Sequence, residues 1–332
     1  MSNSVPIKTV HERLTKIWMK IPKPYFALAK LAANYDSRWR RGADILYLGD
    51  SVVERISWHD TDKRTLDQMT ADFLPNGIRL MSIARAAYHF RIYYHLLNVL
   101  QSMRNRPQLV ILPINMRCFS PQWDLNPSWQ FEEEIQYLKA YSATRRVPAI
   151  RINAEALTFS EAERNLELDL PFTDMTRIWQ FLDLINNTPP DPEGKFQRRR
   201  QIYIFHYLNA LRSNHRRLQD LARILDLLDE LNIQVLMYST PVNYQGAIRH
   251  VGEGFVDGIR GNMATLLSVI HPYLREGQVC FFDLQEYLTS DDFFHVDEMT
   301  EHLNQSGRLK LAQRLASEIK EMMKNKEDTW LN

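Results

Sequence analysis

Ser51 stands in Gly49-Asp50-Ser51-Val52, directly after the apolar run Ile45-Leu46-Tyr47-Leu48. A serine at a strand-to-helix turn is either an N-cap or a nucleophile held at the rim of a sheet. Nucleophilic use requires a base. His302, in His302-Leu303-Asn304-Gln305-Ser306-Gly307 just before the last helical pattern, is the candidate. An imidazole that takes a proton needs a carboxylate to orient it and to stabilise its charged form. Asp297 opens the acidic loop that ends at His302 and is the first choice, with Glu298 and Glu301 as alternatives. Asp292 and His295, three residues apart, form a second possible pair. A tetrahedral intermediate needs donors for its oxyanion: the Ser51 N–H, a backbone N–H at Ala86 and the Asn115 side-chain amide are candidates. The chemistry this set would perform is acyl transfer.

Such residues must be brought together by the elements that carry them. Short apolar runs at Asp44–Leu48, Arg79–Ile83, Gln108–Pro113, Gln234–Ser239 and Val279–Leu284 read as strands. Helical patterns lie near 62–73, 90–104, 130–142, 199–231, 246–273 and 305–324. This alternation predicts an α/β fold: a flavodoxin-like three-layer α/β/α sandwich with a central parallel sheet of about five strands. In an open parallel sheet, ligands bind beyond the carboxyl ends of the strands, and Ser51, Ala86 and Asn115 each follow one. About 120 residues separate the third strand from the fourth, far more than one crossover uses. A large helical insertion at about 116–200 is therefore expected beside the active edge. It holds Trp123, Trp129 and Trp179, the breaker stretch 186–194, and Arg198-Arg199-Arg200, read as the solvated start of the next helix.

With 45% hydrophobic residues in 332, the chain can bury a real core, and its formal net charge of +1 gives no reason to expect a nucleic-acid partner. Two cysteines, Cys118 and Cys280, exclude a disulfide scaffold and suit a reducing compartment, so a cytoplasmic location is expected. Neither belongs to a metal-ligand cluster, and no cofactor motif is present, so neither a metal nor a cofactor is expected. No stretch is apolar enough to span a membrane. The segment 1–40 reads as an amphipathic helix pair packed on a domain covering 41–325. Its lysines (16, 20, 23 and 30), interleaved with Leu14, Ile17, Trp18, Tyr25 and Phe26, also admit peripheral membrane contact.

At Gly49-Asp50-Ser51 and at the acidic loop leading to His302-Leu303-Asn304 and Gly307, the chain resembles the SGNH (GDSL-type) serine hydrolase superfamily. The order, serine first and histidine near the C-terminus, matches as well. The resemblance covers roughly 40–120 and 230–320. It implies a Ser51–His302–Asp297 triad and an oxyanion hole of Ser51, Ala86 and Asn115. Three departures stand out. Ala84-Arg85-Ala86-Ala87 replaces the second motif's glycine, and Pro113-Ile114-Asn115-Met116 replaces Gly-x-Asn-Asp. Met299 occupies the position three before His302 where the family has its aspartate. The resemblance implies a serine esterase or acyltransferase acting on an O-acyl group, such as that of a carbohydrate or polysaccharide. The departures keep a second class open, a non-catalytic SGNH-like partner in a biosynthetic assembly. Tyr88, Arg117 and Trp123 flank the site as candidate contacts for an anionic or sugar substrate, although structural roles fit them too. His59 and His89 read as surface or pocket-lining.

Overall fold

The computed structural model describes residues 23–37, 42–121, 123, 131–144, 167–189 and 191–330. Its elements in chain order are α1 (Lys23–Tyr35), β1 (Ile45–Gly49), α2 (Ser51–Glu54), α3 (Leu66–Asp72), β2 (Leu80–Ala84), α4 (Phe90–Val99) and β3 (Leu109–Ile114). There follow α5 (Glu132–Thr144), α6 (Ile178–Asn187), α7 (Pro192–Tyr207), α8 (Arg216–Glu230), β4 (Gln234–Ser239), α9 (Tyr244–Val251), α10 (Gly254–Ile270), β5 (Val279–Phe282) and α11 (Gln305–Trp330). All five expected strands are present. They form one parallel sheet in the order β2-β1-β3-β4-β5.

The strands are apolar without alternation because both faces are covered. Leu46, Leu48, Val110, Leu112, Val235 and Met237 point to one face, where α1, α4, α8 and α10 close the larger core. Ile45, Tyr47, Leu109, Ile111, Leu236 and Tyr238 point to the other, under α2, α3 and α11. Within that second layer the Tyr47 and Tyr238 hydroxyls meet at 2.5 Å. Of the expected N-terminal helical segment, α1 lies within the described residues and buries Ala27, Leu28, Leu31 and Tyr35 in the larger core. Leu14, Ile17 and Trp18 lie outside the described residues. Among those residues, no helix is long and apolar enough to cross a membrane.

Two expected helices are each divided. The pattern at 199–231 becomes α7 and α8, because buried Asn262 of α10 satisfies the backbone where the chain breaks. Its Oδ1 accepts from the Leu211 N–H at 2.8 Å, and its Nδ2 donates to the carbonyls of Tyr207 and Asn209. The pattern at 246–273 divides at Gly252, whose φ of +98° suits a residue without a side chain.

One feature of the ladders opens the site. β1 pairs with β2 to its last residue, Gly49 against Ala84. With β3 its register ends at Tyr47 against Ile111, whereas β3 stays with β4 through Ile114 against Ser239. β1 and β3 therefore part at their carboxyl ends, where the strand order reverses. A crevice at this topological switch point is where an open α/β sheet binds ligands.

Candidate active site

Gly49 ends β1 because there is no room for more: a Cβ there would lie 2.6 Å from a Val53 methyl and 3.0 Å from the Ala84 Cβ. Asp50 then caps α2, its carboxylate accepting from the Val52 N–H at 2.8 Å. Capping thus falls to Asp50, which leaves the Ser51 hydroxyl free to turn into the crevice. His302 reaches it from the other side, its Nε2 lying 3.0 Å from Ser51 Oγ.

The loop carrying His302 is closed on itself. Phe293 bridges Leu303, the Phe294 N–H donates to the His302 carbonyl at 2.9 Å, and the Asn304 N–H donates to the Asp292 carbonyl at 3.0 Å. Gly307 packs against that same Asp292 carbonyl, in space a side chain would fill. Arg308, fully buried, donates to the Asp60 carboxylate and to the carbonyls of Asp62, Arg64 and Leu303. It ties the base of the His302 loop to the segment that follows α2. The serine and histidine thus sit on supports that are braced against each other.

The expected acid is elsewhere. Asp297 turns its carboxylate to Arg249 on α9 and stands half exposed, so the structure does not bring it to His302. Glu298 pairs with Arg199 at 3.1 Å. Asp292 is occupied by Ser306 and by Lys310, at 2.9 and 2.8 Å, and serves to fasten the loop to α11. Glu301 lies buried at 2% exposure, accepting from Arg117 Nη1 at 3.2 Å and from the Tyr207 hydroxyl. Among the described residues, no carboxylate lies within hydrogen-bond distance of His302 Nδ1. Glu301 instead acts on His302 through its charge.

The oxyanion candidates also rearrange. The Ala86 N–H is taken by the Glu54 carboxylate at 2.7 Å, so it is not available to a ligand. The next residue, Ala87, has φ of +68°, in the left-handed region where glycine is comfortable. Its N–H, like that of Ser51, donates to no described group. Sequence reading missed Ala87 because the usual signal for such a backbone is glycine. Asn115 lines the same cavity as Ser51 and is fixed at both ends of its amide. Its Oδ1 accepts from the Arg117 N–H at 3.0 Å and its Nδ2 donates to Asp50 at 2.8 Å. One amide hydrogen is left over.

Ser51, Ala87, Asn115, Arg117, Trp123 and His302 line a cavity of about 170 Å³. Arg117 stacks over the Trp123 ring at 5.4 Å. Trp129 lies outside the described residues. Tyr88 donates its hydroxyl to Glu134 on α5 at 2.5 Å, and Arg85 pairs with the same carboxylate at 3.1 Å. The loop containing Ala87 is thus pinned to the insertion.

Burial shapes the titration of the site. It pushes the Asp50 carboxyl up to about 6, against the pull of the Asn115 and Val52 donors. His302 is pushed down to about 4 by burial, with Arg55 and Arg117 adding to the shift and Glu301 opposing it. The imidazole is therefore neutral at neutral pH, the state a general base needs. Glu134, buried beneath Tyr88, rises to about 7. Among the described residues, no three His, Cys, Asp or Glu side chains converge as a metal site.

A scan against protein-family models and a search of curated proteins find no match. Among solved structures, an Axe2 variant, an acetyl-xylooligosaccharide esterase from Geobacillus, is 11% identical with a TM-score of 0.42, over 84% of this chain and 94% of that one. A catalytic variant of Axe2, an acetylxylan esterase from Geobacillus stearothermophilus, is 12% identical with a TM-score of 0.40 over the same shares. At this level of likeness neither fold nor activity is carried over.

Proposed function

We propose that the protein is a serine esterase, or a related O-acyltransferase, of SGNH type, working through a Ser51–His302 dyad. The single observation that carries this is the 3.0 Å contact between His302 Nε2 and Ser51 Oγ at the switch point of a parallel sheet. In the proposed reaction His302 Nε2 takes the Ser51 proton as Oγ attacks the ester carbonyl. The oxyanion is received by the N–H groups of Ser51 and Ala87 and by the Asn115 amide. The intermediate collapses, the alcohol leaves with the proton held by His302, and the acyl group stays on Ser51. Water or a second hydroxyl then attacks, with His302 as base again, and releases the acyl group.

The cavity of about 170 Å³ beside Ser51 has room for an acetyl-sized acyl group. An O-acylated carbohydrate is the substrate class that the SGNH resemblance adds. The second reading, a non-catalytic partner, is favoured by the lack of a carboxylate at His302 Nδ1 among the described residues.

A fluorophosphonate probe separates the two. Covalent labelling that disappears in Ser51→Ala, together with a loss of 4-nitrophenyl acetate hydrolysis by a factor of about 10³ or more, establishes the enzyme. Equal turnover in wild type and Ser51→Ala, or no labelling of Ser51, leaves the partner reading.

A further inference from the structure

The corner between β2 and α4 is held against the preference of its own residues. The Tyr88 N–H donates to the Arg85 carbonyl at 3.0 Å, which makes Arg85-Ala86-Ala87-Tyr88 a β-turn, and Ala87, its third residue, has φ of +68°. A positive angle at that position belongs to a type II turn, which favours glycine there, whereas a type I turn has a negative angle and accepts alanine. The two types differ by about half a rotation of a single peptide plane, the one joining the central residues. Here that plane is Ala86–Ala87. Its N–H and its carbonyl bond to no described group. What keeps it in the costlier orientation therefore lies in the flanking residues.

Both flanking side chains end on one carboxylate. Glu134, 2% exposed in the first turn of α5, accepts from Arg85 Nη1 at 3.1 Å with one oxygen and from the Tyr88 hydroxyl at 2.5 Å with the other. Phe131, just before α5, strengthens both grips: its ring faces the Arg85 guanidinium at 5.1 Å and meets the Tyr88 ring edge-to-face at 4.9 Å. Releasing Tyr88 would leave a buried hydroxyl unpaired and a buried charge half satisfied, so the tie is stiff. The other anchors, the Arg85 N–H on the Gly49 carbonyl and the Ala86 N–H on Glu54, hold the peptides before the central one and fit either turn.

We propose that Glu134 is a positioning residue for the reaction: by gripping the first and fourth residues of the turn, it keeps the Ala87 N–H toward Ser51 as an oxyanion donor. The helical insertion thereby sets the geometry of the sheet edge as well as covering it. The proposal rests on the esterase reading for the use of that donor, while the dependence of the turn on Glu134 stands apart from it.

Crystal structures and 4-nitrophenyl acetate kinetics of wild type, Glu134→Gln, Ala87→Gly and the double variant test it. The measurements are made at about pH 8, above the value of about 7 to which burial raises Glu134, so that the wild-type carboxylate is charged. Glutamine keeps the size of the side chain but sets an amide donor against one of the two donors, which opens the clamp at one end. In Glu134→Gln the Ala87 φ should become negative, and kcat should fall about tenfold or more with KM changed less than about twofold. Glycine at 87 takes the left-handed angle without strain, so in that background the same substitution should lower kcat by less than about threefold. Loss of the same factor in both backgrounds means a merely structural Glu134 and overturns the proposal. A positive φ retained at Ala87 in Glu134→Gln overturns it as well. Tyr88→Phe removes the other grip and is read in the same way should Glu134→Gln fail to fold. If wild type neither turns over nor labels with the fluorophosphonate, the esterase reading falls. The angle at Ala87 then decides alone: a flipped turn in the variant supports the clamp, and an unchanged turn refutes it.

Discussion

The state of His302 makes the pH dependence of the reaction the sharpest test of the dyad. An imidazole with the ordinary value of 6.5 is about nine-tenths protonated at about pH 5.5, leaving about a tenth of the base. With its value pushed down to about 4, His302 stays neutral there. The ratio of kcat/KM at about pH 5.5 to that at about pH 7.5 should therefore be near one, not near one-tenth, and the acid limb should fall near 4. The assay is 4-nitrophenyl acetate hydrolysis read at the isosbestic wavelength of the released phenol. Circular dichroism at each pH shows that the fold is retained.

His302 has a folded value below its unfolded one, so its contribution to stability, on the order of 3 kcal/mol, is lost as pH falls from 6.5 through about 4. Asp50 and Glu134 have folded values raised to about 6 and about 7, so they bind protons more tightly when folded and gain stability over much the same interval. The opposing slopes keep the fold in place while the rate is measured. An inflection near 6 belongs to Asp50 and vanishes in Asp50→Asn; the limb near 4 remains. Glu301→Gln removes the charge that holds His302 up, and moves that limb lower still. A tenfold loss of kcat/KM by about pH 5.5 with the fold intact, persisting in Asp50→Asn, would refute the burial argument.

Other perturbations follow from the same contacts. Asp50→Asn sets an amide against the Asn115 amide and forces one of them to turn, so kcat should fall by roughly 10–10², with urea midpoints showing a stability change of about 2 kcal/mol or less. Ala87→Gly relieves a left-handed alanine worth about 1–2 kcal/mol against about 0.5–1 kcal/mol of added chain entropy. Urea unfolding should show unchanged or slightly increased stability, and a clear destabilisation would contradict the strain. Asp297→Asn breaks a half-exposed ion pair and should leave kcat/KM within about twofold. Glu301→Gln strips the counter-charge from Arg117 in a buried cluster and should cost about 3 kcal/mol in thermal or urea unfolding.

The architecture was legible in the order of apolar runs and helical patterns along the chain. Five apolar runs spaced by helical patterns can bury both faces only as a parallel sheet between helix layers, and strand composition carries that signal locally. The glycine before Asp50 and the serine after it were legible for the same reason: a tight strand-to-helix turn restricts which residues fit within a few positions. His302 was legible as the candidate partner from its own local pattern, and the geometry placed it at Ser51. The rest depended on contacts between segments far apart in the chain. Asp297 looked like the acid because it opens the loop, but Arg249 from α9 holds it outside. Ala86 looked like a donor until Glu54 reached its N–H, and the left-handed backbone of the next residue, Ala87, is one that no alanine announces. The break between α7 and α8 was decided by Asn262, about 50 residues downstream, which satisfies the freed backbone groups. That His89, Arg117 and Trp123 bury side-chain nitrogens without hydrogen-bond partners is likewise invisible in sequence. Whether a polar atom is paired is a property of the folded surroundings, and strand and helix periodicity do not encode it.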